Sequence, residues 1–368
     1  MHASAPPPAA LPFLAAYLIP LASAIGLARG GPWSWSTVVL VFIITPVLDA
    51  VLGLNTAIPD FEPAGLPPTR RAAYDLSLWL WLPLQLALLG WGAWAVAHRP
   101  FGGLELAGLV LSLGISSGAG AITVAHELMH RRGRFEKALA ELLMTSVCYP
   151  HFCIEHLRGH HRHVATPADP ATARLGETLP AFLPRTLLGG LASAWRIERE
   201  LVRRGRRGPL GLGDRRLRYP LLVAAALAGA WLLGGTPGAV FFLGQATVAV
   251  LLLEIINYVE HYGLERRALA NGRFERVGPQ HSWNAAHRLT NWYLFNLQRH
   301  ADHHVAAARP FWLLRHLPES PQLPAGYAAM CLLALVPPLW RLAMDARAAV
   351  WRAMESAAPP AAADDGER

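Results

Sequence analysis

The chain has 368 residues, 53% of them hydrophobic and only 16% charged. Soluble domains carry about 25% charged residues, so the composition argues against an ordinary water-soluble globule and for a membrane protein. The net charge of +8 is carried almost wholly by arginine. These arginines flank apolar runs, a placement that gives no support to a nucleic-acid partner. Cys148, Cys153 and Cys331 are the only cysteines, and they form neither a CxxC pair nor a disulfide framework.

In chain order, apolar stretches occur at residues 11–28, 36–54, 76–97, 104–125, 219–235 and 238–258. Each approaches the roughly 20 residues needed to cross a bilayer. Together they predict an all-α, polytopic membrane protein: six transmembrane helices in a single domain, residues 1–368. The residues ahead of the first stretch, MHASAPPPAA, hold no basic cluster, so that stretch reads as a span rather than a cleaved signal peptide. The stretch 138–149 is too short to cross and is expected on the membrane surface or within the cytosolic part. Residues 326–344 contain a proline pair and an arginine, and an interfacial helix is expected there. Residues 355–368 have the composition of a disordered tail. No internal repeat is visible.

The loops at 29–35, 98–103 and 233–237 are short and hold at most one arginine each. The segments 55–75, 126–218 and 259–368 are long. Arginine is dense in 131–218, with Arg199, Arg203, Arg204, Arg206 and Arg207 close together. Basic residues mark cytosolic loops, so the long segments and both termini are expected in the cytosol.

Nine of the sixteen histidines fall in four tight groups. His126 and His130 lie in HELMH; His156, His160 and His161 in EHLRGHH; His261 in VEHYG; His300, His303 and His304 in QRHADHH. Residues three or four apart share a helix face. His126/His130, His156/His160 and His300/His303/His304 are therefore each expected to aim their rings at one point. His126 ends the fourth span and His261 the sixth, so all four groups reach the same, cytosolic face. Neutral imidazole suits zinc, copper, iron and nickel, and nine imidazoles exceed what one ion accepts but fit two. Glu127, Glu155, Glu260 and Asp302 adjoin the groups and are candidates for the acceptors that metal-bound histidines usually hydrogen-bond. His151, His163, His281, His287 and His316 lie near the boxes and read as hydrogen-bonding or surface residues. His2 and His98 lie far from them.

HELMH is also the pattern of a zinc-protease helix. A protease would use Glu127 as its base and one further metal ligand, and it has no use for seven more clustered histidines. A metal transporter would want polar residues along a path through the bilayer, whereas these cluster at one face. A hydroxylase acting on another apolar chain or ring, such as a fatty acid, a methyl arene or a terpene, stays open on the boxes alone.

The boxes HELMH, EHLRGHHRHVATPADPATARLGE, NYVEHYGL and LQRHADHH closely resemble those of the integral-membrane alkane monooxygenases (alkane 1-hydroxylases). HSWNAAHRLTNWYLFNLQRHADHH and PVLDAVLG add to the resemblance, which covers roughly residues 37–320. Fatty-acid desaturases share the box idea but not HYG or LQRHxDHH. The resemblance implies six transmembrane helices and a cytosolic cap holding a di-iron centre. It implies hydroxylation of a terminal methyl of n-alkanes to 1-alkanols with O2, using electrons delivered by rubredoxin and rubredoxin reductase, in the bacterial inner membrane. The ligands it carries over are His126, His130, His156, His160, His161, His261, His300, His303 and His304. Two positions depart from the pattern: Arg131 stands where lysine is common, and Ala285–Ala286 where a more polar pair is expected. The absence of rubredoxin-type cysteine pairs makes the carrier a separate protein.

An unactivated terminal C–H bond has no acidic proton and no leaving group, so general acid–base catalysis has nothing to act on. The chemistry must come from the metal, with the protein orienting an apolar substrate that partitions into lipid. Spans two to four and six are expected to form an apolar channel ending under the metals, with Trp79, Trp81 and residues 48–52 in its lining. Asp49, an ionisable residue inside the second span, is counted with the channel and expected to pair with a polar group near the site. The basic face suits anionic membrane lipid and an acidic carrier such as rubredoxin.

Overall fold

The computed structural model describes residues 10–58, 66–205 and 213–357. Among them the chain is all-α, with strand pairing limited to isolated bridges such as Leu54 with His287. Four long apolar helices come first: α1 (Leu11–Arg29), α2 (Gly31–Leu52), α3 (Pro68–His98) and α4 (Gly103–His130). Two helices of the histidine end follow, α5 (Arg134–Thr145) and α6 (Leu179–Arg203), with a short helical segment at 152–163 between them. Helix α7 (Arg215–His261) has 47 residues, roughly 70 Å of helix at 1.5 Å per residue. That is about twice a hydrocarbon core of ~30 Å.

The excess length is resolved by a fold in α7. Gly234 and Gly235 leave helical geometry, Gly235 at φ +56°, a conformation open to glycine. A side chain on Gly238 would meet the Ala230 carbonyl at 2.6 Å. Eight residues of straight helix would put those positions ~12 Å apart, so α7 doubles back and makes two antiparallel passes. With α1–α4 this gives the six crossings expected, although α3 begins at Pro68, well before residue 76. The returning half of α7 packs on α4 through small residues. A Cβ on Gly114 would meet Val248 at 2.4 Å, and one on Gly118 would meet Leu252 at 3.0 Å, the close approach that membrane helices use in place of a hydrophobic drive.

The long connections gather at one end of the bundle. At the start of α1, Phe13 stacks on Phe295 and meets Phe311 edge-on; at the start of α3, Tyr74 stacks on Trp312 at 4.6 Å. Helices α4 and α7 end there in His130 and His261, and Arg215, at the head of α7, pairs with Glu198 of α6 at 2.8 Å. The opposite end is closed by short loops. There Arg99 donates to the Leu27 and Ala28 carbonyls, and Glu105 accepts from the Gly31 and Gly102 amides.

After α7 come α8 (Arg288–Tyr293), α9 (His300–Val305), α10 (Tyr327–Ala334) and α11 (Pro337–Ala357). Residues 326–344 do not form the single interfacial helix expected, because α10 and α11 meet at 118°. The break falls just before Pro337, whose missing N–H and fixed φ end a helix. The sequence beyond Ala357, together with His2, Arg206 and Arg207, lies outside the described residues.

Candidate metal centre

Nine imidazoles converge at the bundle end where the long connections gather. They form two sets: His126, His130, His156, His161 and His303; and His160, His261, His300 and His304. Within each set one ring nitrogen per residue lies within 4.8 Å of all the others. The sets adjoin, with the rings of His161 and His304 4.5 Å apart.

The partition differs from the helix-face expectation. His156 and His160 do not aim at one point. Residues His156–His160 form a π-turn in which the His161 amide bonds the His156 carbonyl, an i→i+5 register. The wider turn brings His161 into line with His156, their Nε2 atoms 3.0 Å apart, and swings His160 to the other set. On α9 the regular register holds. His300 and His304, four apart, share a set with Nε2 atoms 2.9 Å apart, and His303 turns to the other.

These rings fit metal ions. In the first set the His156 Nε2 lies 3.0 Å from both His130 Nε2 and His161 Nε2, and His161 Nε2 lies 3.1 Å from His303 Nε2. A neutral imidazole has one donor and one acceptor nitrogen, so a chain of Nε2 atoms cannot satisfy itself with protons alone. The Nε2 atoms of His126 and His160 are buried with no hydrogen-bond partner, a situation buried polar atoms rarely keep. Burial, reinforced by the neighbouring rings, holds His156, His161, His300, His303 and His304 well below the ordinary imidazole range. They are therefore neutral at physiological pH, the form that ligates metal.

An apolar cavity ends under both sets. Val41 and Phe42 of α2, Ala119 and Ile122 of α4, and Leu252 and Ile256 of α7 line it, and His126, His156, His300 and Glu260 close its head. Helix α10 contributes Tyr327, Ala328 and Cys331.

Similarity to known proteins is extensive. A fatty acid desaturase family model matches residues 104–334. Alkane 1-monooxygenase 2 of Pseudomonas aeruginosa is 44% identical over 330 residues, covering 88% of this chain and 86% of its own. Alkane 1-monooxygenase of Acinetobacter baylyi is 38% identical, covering 87% and 76%. The chain belongs to the alkane 1-monooxygenase family. Xylene/toluene monooxygenase hydroxylase component of Pseudomonas putida is 31% identical over 88% of this chain and 85% of its own. The long apolar helices and this membership make the chain a multi-pass membrane protein.

In this alkane monooxygenase family member the four acids beside the boxes part company. Glu260 stays at the metal centre: one oxygen lies 3.2 Å from His300 Nε2, and the other accepts from the Tyr327 hydroxyl at 2.7 Å. Glu155 packs beneath Gly159, where an added Cβ would meet its carboxylate at 2.3 Å, and burial pushes its pKa up to about 7. Glu127 turns away from the rings. It accepts from Arg131 at 2.8 Å and from the Phe311 amide, and Arg131 in turn reaches Asp75. Asp302 also turns away, bonding the Arg315 amide and guanidinium and the Arg309 guanidinium. Sequence reasoning missed Asp169. Its carboxylate accepts from His160 Nδ1 at 2.9 Å and from the Thr172 hydroxyl at 2.6 Å, which fixes His160 Nε2 as the nitrogen facing its set. Its one signal was its place in ATPADPAT, inside the second box.

The expected channel residues lie elsewhere. Trp81 is fully buried over Gly120 and against Tyr17, and Trp79 packs edge-on against Phe135. Neither lines the cavity, and α3 contributes nothing to it. Leu48, Val51 and Leu52 point outward. Asp49 does find a polar partner, by capping α8: it accepts from the Leu289 and Thr290 amides at 2.9 and 3.1 Å and from the Thr290 hydroxyl. His98, His151, His163, His281, His287 and His316 belong to neither set.

Proposed function

We propose that this protein hydroxylates the terminal methyl of n-alkanes to 1-alkanols at two iron ions, one in each histidine set. One atom of O2 enters the C–H bond; two electrons and two protons reduce the other to water. The observation that carries the reading is the junction of an apolar cavity with two all-imidazole sets. Imidazole alone admits several metals, but zinc has no redox chemistry, and an alkane offers nothing to acid or base. The protease reading of HELMH has lost its base, since Glu127 is held in an ion pair with Arg131.

The ions, when bound, supply oxygen activation and the electron steps. The chain supplies the rest. The nine histidines named above hold the metals, Asp169 fixes the tautomer and orientation of His160, and the cavity walls exclude water and direct one end of an extended apolar substrate at the rings. Glu260 and Tyr327 form a polar pair where cavity and rings meet.

Rubredoxin, reduced by its reductase, is the proposed electron source. The histidine end of the molecule offers it complementary charge. A depression of about 510 Å³ opens there beside Asp169, with Arg174, Arg185, Arg267 and Arg352 around it. This end is read as cytosolic, with the protein in a bacterial inner membrane; its concentration of arginine supports that orientation by the positive-inside rule.

The test is turnover of purified protein in lipid with rubredoxin, rubredoxin reductase and NADH. Conversion of n-alkanes to 1-alkanols supports the reading. Activity confined to methyl arenes, or dependence on added zinc, contradicts it.

A further inference from the structure

Helices α10 and α11 form an arm whose outer face the catalytic reading leaves unexplained. The arm starts beside the histidine end of α2, where a Cβ on Gly326 would sit 2.9 Å from Asp49. Helix α10 then runs back along α2 to the π-turn Leu40–Ile44. Asp49 and Val41 are eight residues apart, so this is a descent of about 12 Å along the span. The chain turns through 118°, and α11 climbs back past the end of α7. There Trp340 packs on Tyr258 and Tyr262, and a Cβ on Gly263 would meet Ala348.

The buried face of α11, formed by Trp340, Met344 and Ala348, is accounted for by that packing. The opposite face is not. On α11, Leu339, Leu342, Ala346, Val350 and Met354 recur every three to four residues and are exposed, Leu342 by 81%, and Leu335, in the turn just before the helix, is exposed too. An uncharged stripe of this length is a surface that water does not favour. It is continuous with a second outward apolar surface: α10 lies against α2, whose Ile43, Val47 and Val51 are 59%, 60% and 76% exposed. Most charges of α11 lie off the stripe, and the exposed Arg347 borders only its far end, beside Val350 and Met354. Arg341 reaches the Gly176 carbonyl, and Arg352 pairs with Glu265.

We infer that α10 and the first turns of α11 are a re-entrant arm seated in the acyl layer on the histidine side, with the Leu335–Leu342 edge in contact with lipid chains. The arm enters and leaves by the same face, which distinguishes it from a broken seventh span. Ala328 and Cys331 on its inner side line the cavity, so the arm is the wall between acyl layer and cavity. The inference rests on the reading that α1–α4 and α7 cross a bilayer.

Nitroxide labels on the full-length protein, in phosphatidylcholine–phosphatidylglycerol bilayers, test this. Leu335→Cys and Leu342→Cys are measured beside Ile43→Cys as a span control and Asn271→Cys as a water control, with unsubstituted protein giving the background from native cysteines. Power-saturation EPR compares accessibility to O2 with accessibility to Ni(II)-EDDA. The inference expects O2 to dominate at 335 and 342, as at 43, and the nickel reagent to dominate at 271. Nickel dominance at 335 and 342, with 43 unchanged, overturns the arm alone. Low accessibility to both reagents with dipolar broadening shows a second copy of the chain on the stripe, and also overturns it. Nickel dominance at 43 overturns the membrane reading beneath both.

Discussion

His160 and Asp169 show how much of the site a single residue decides. A carboxylate on the far nitrogen of a metal-bound histidine typically accounts for 10–100-fold in metal affinity or activity. Asp169→Asn is therefore expected to lose metal to a chelator about 10–100 times more readily than the unsubstituted protein, as followed by metal retained after timed dialysis. His160→Ala removes a proposed ligand and should lower metal content and alkane turnover together, while His98→Ala, at the far end of α3 from the rings, should change neither. Glu127→Gln and Asp302→Asn make the contrast. Both acids hold arginines rather than rings, so these changes should lower stability, by about 1–3 kcal/mol for the buried Asp302 with its partly exposed partners, read as a lower thermal midpoint, and leave metal stoichiometry intact. The nine histidines were legible because their spacing is itself a chemical statement. The acids were less so: Glu260 was named and lies beside His300, but Asp169 meets His160 across a loop, and Asp302 meets Arg309 and Arg315 only after the chain turns.

At the scale of the element, the π-turn at 156–160 decides which histidine serves which set. Gly159 leaves room within it for the buried Glu155 carboxylate, which an added Cβ would approach to 2.3 Å and force to move. Gly159→Ala is expected to disturb the turn and reduce metal content without removing a single histidine, whereas Gly103→Ala, with open space around it, should keep full metal content. Helix α8 depends on a cap borrowed from α2. Asp49→Ala should destabilise it by about 0.5–2 kcal/mol, read as faster amide exchange at residues 289–292. The long apolar runs announced the crossings, and the break between the stretches 219–235 and 238–258 announced the fold in α7. The register of the π-turn and the 118° turn between α10 and α11 depend on which carbonyl an amide selects and on packing against α2 and α7, information that hydrophobic periodicity does not carry.

For the whole molecule, six crossings and the long connections bring four separate histidine groups to one end and open an apolar cavity beneath them. The placement of all groups on one face was legible from counting spans. The cavity lining was not, because a tryptophan in a span reads the same whether it lines a channel or, like Trp81, fills the space left by a glycine. Ala119, on the cavity wall, offers the direct check: Ala119→Phe should narrow the space and shift the product profile towards shorter 1-alkanols, measured by gas chromatography after feeding an alkane mixture. The central claim is two adjoining all-histidine metal sites. Elemental analysis of the purified protein, with iron and zinc counted per chain, tests it most directly. About two irons per chain, one for each set, is the expected result; about one zinc and no iron would contradict it.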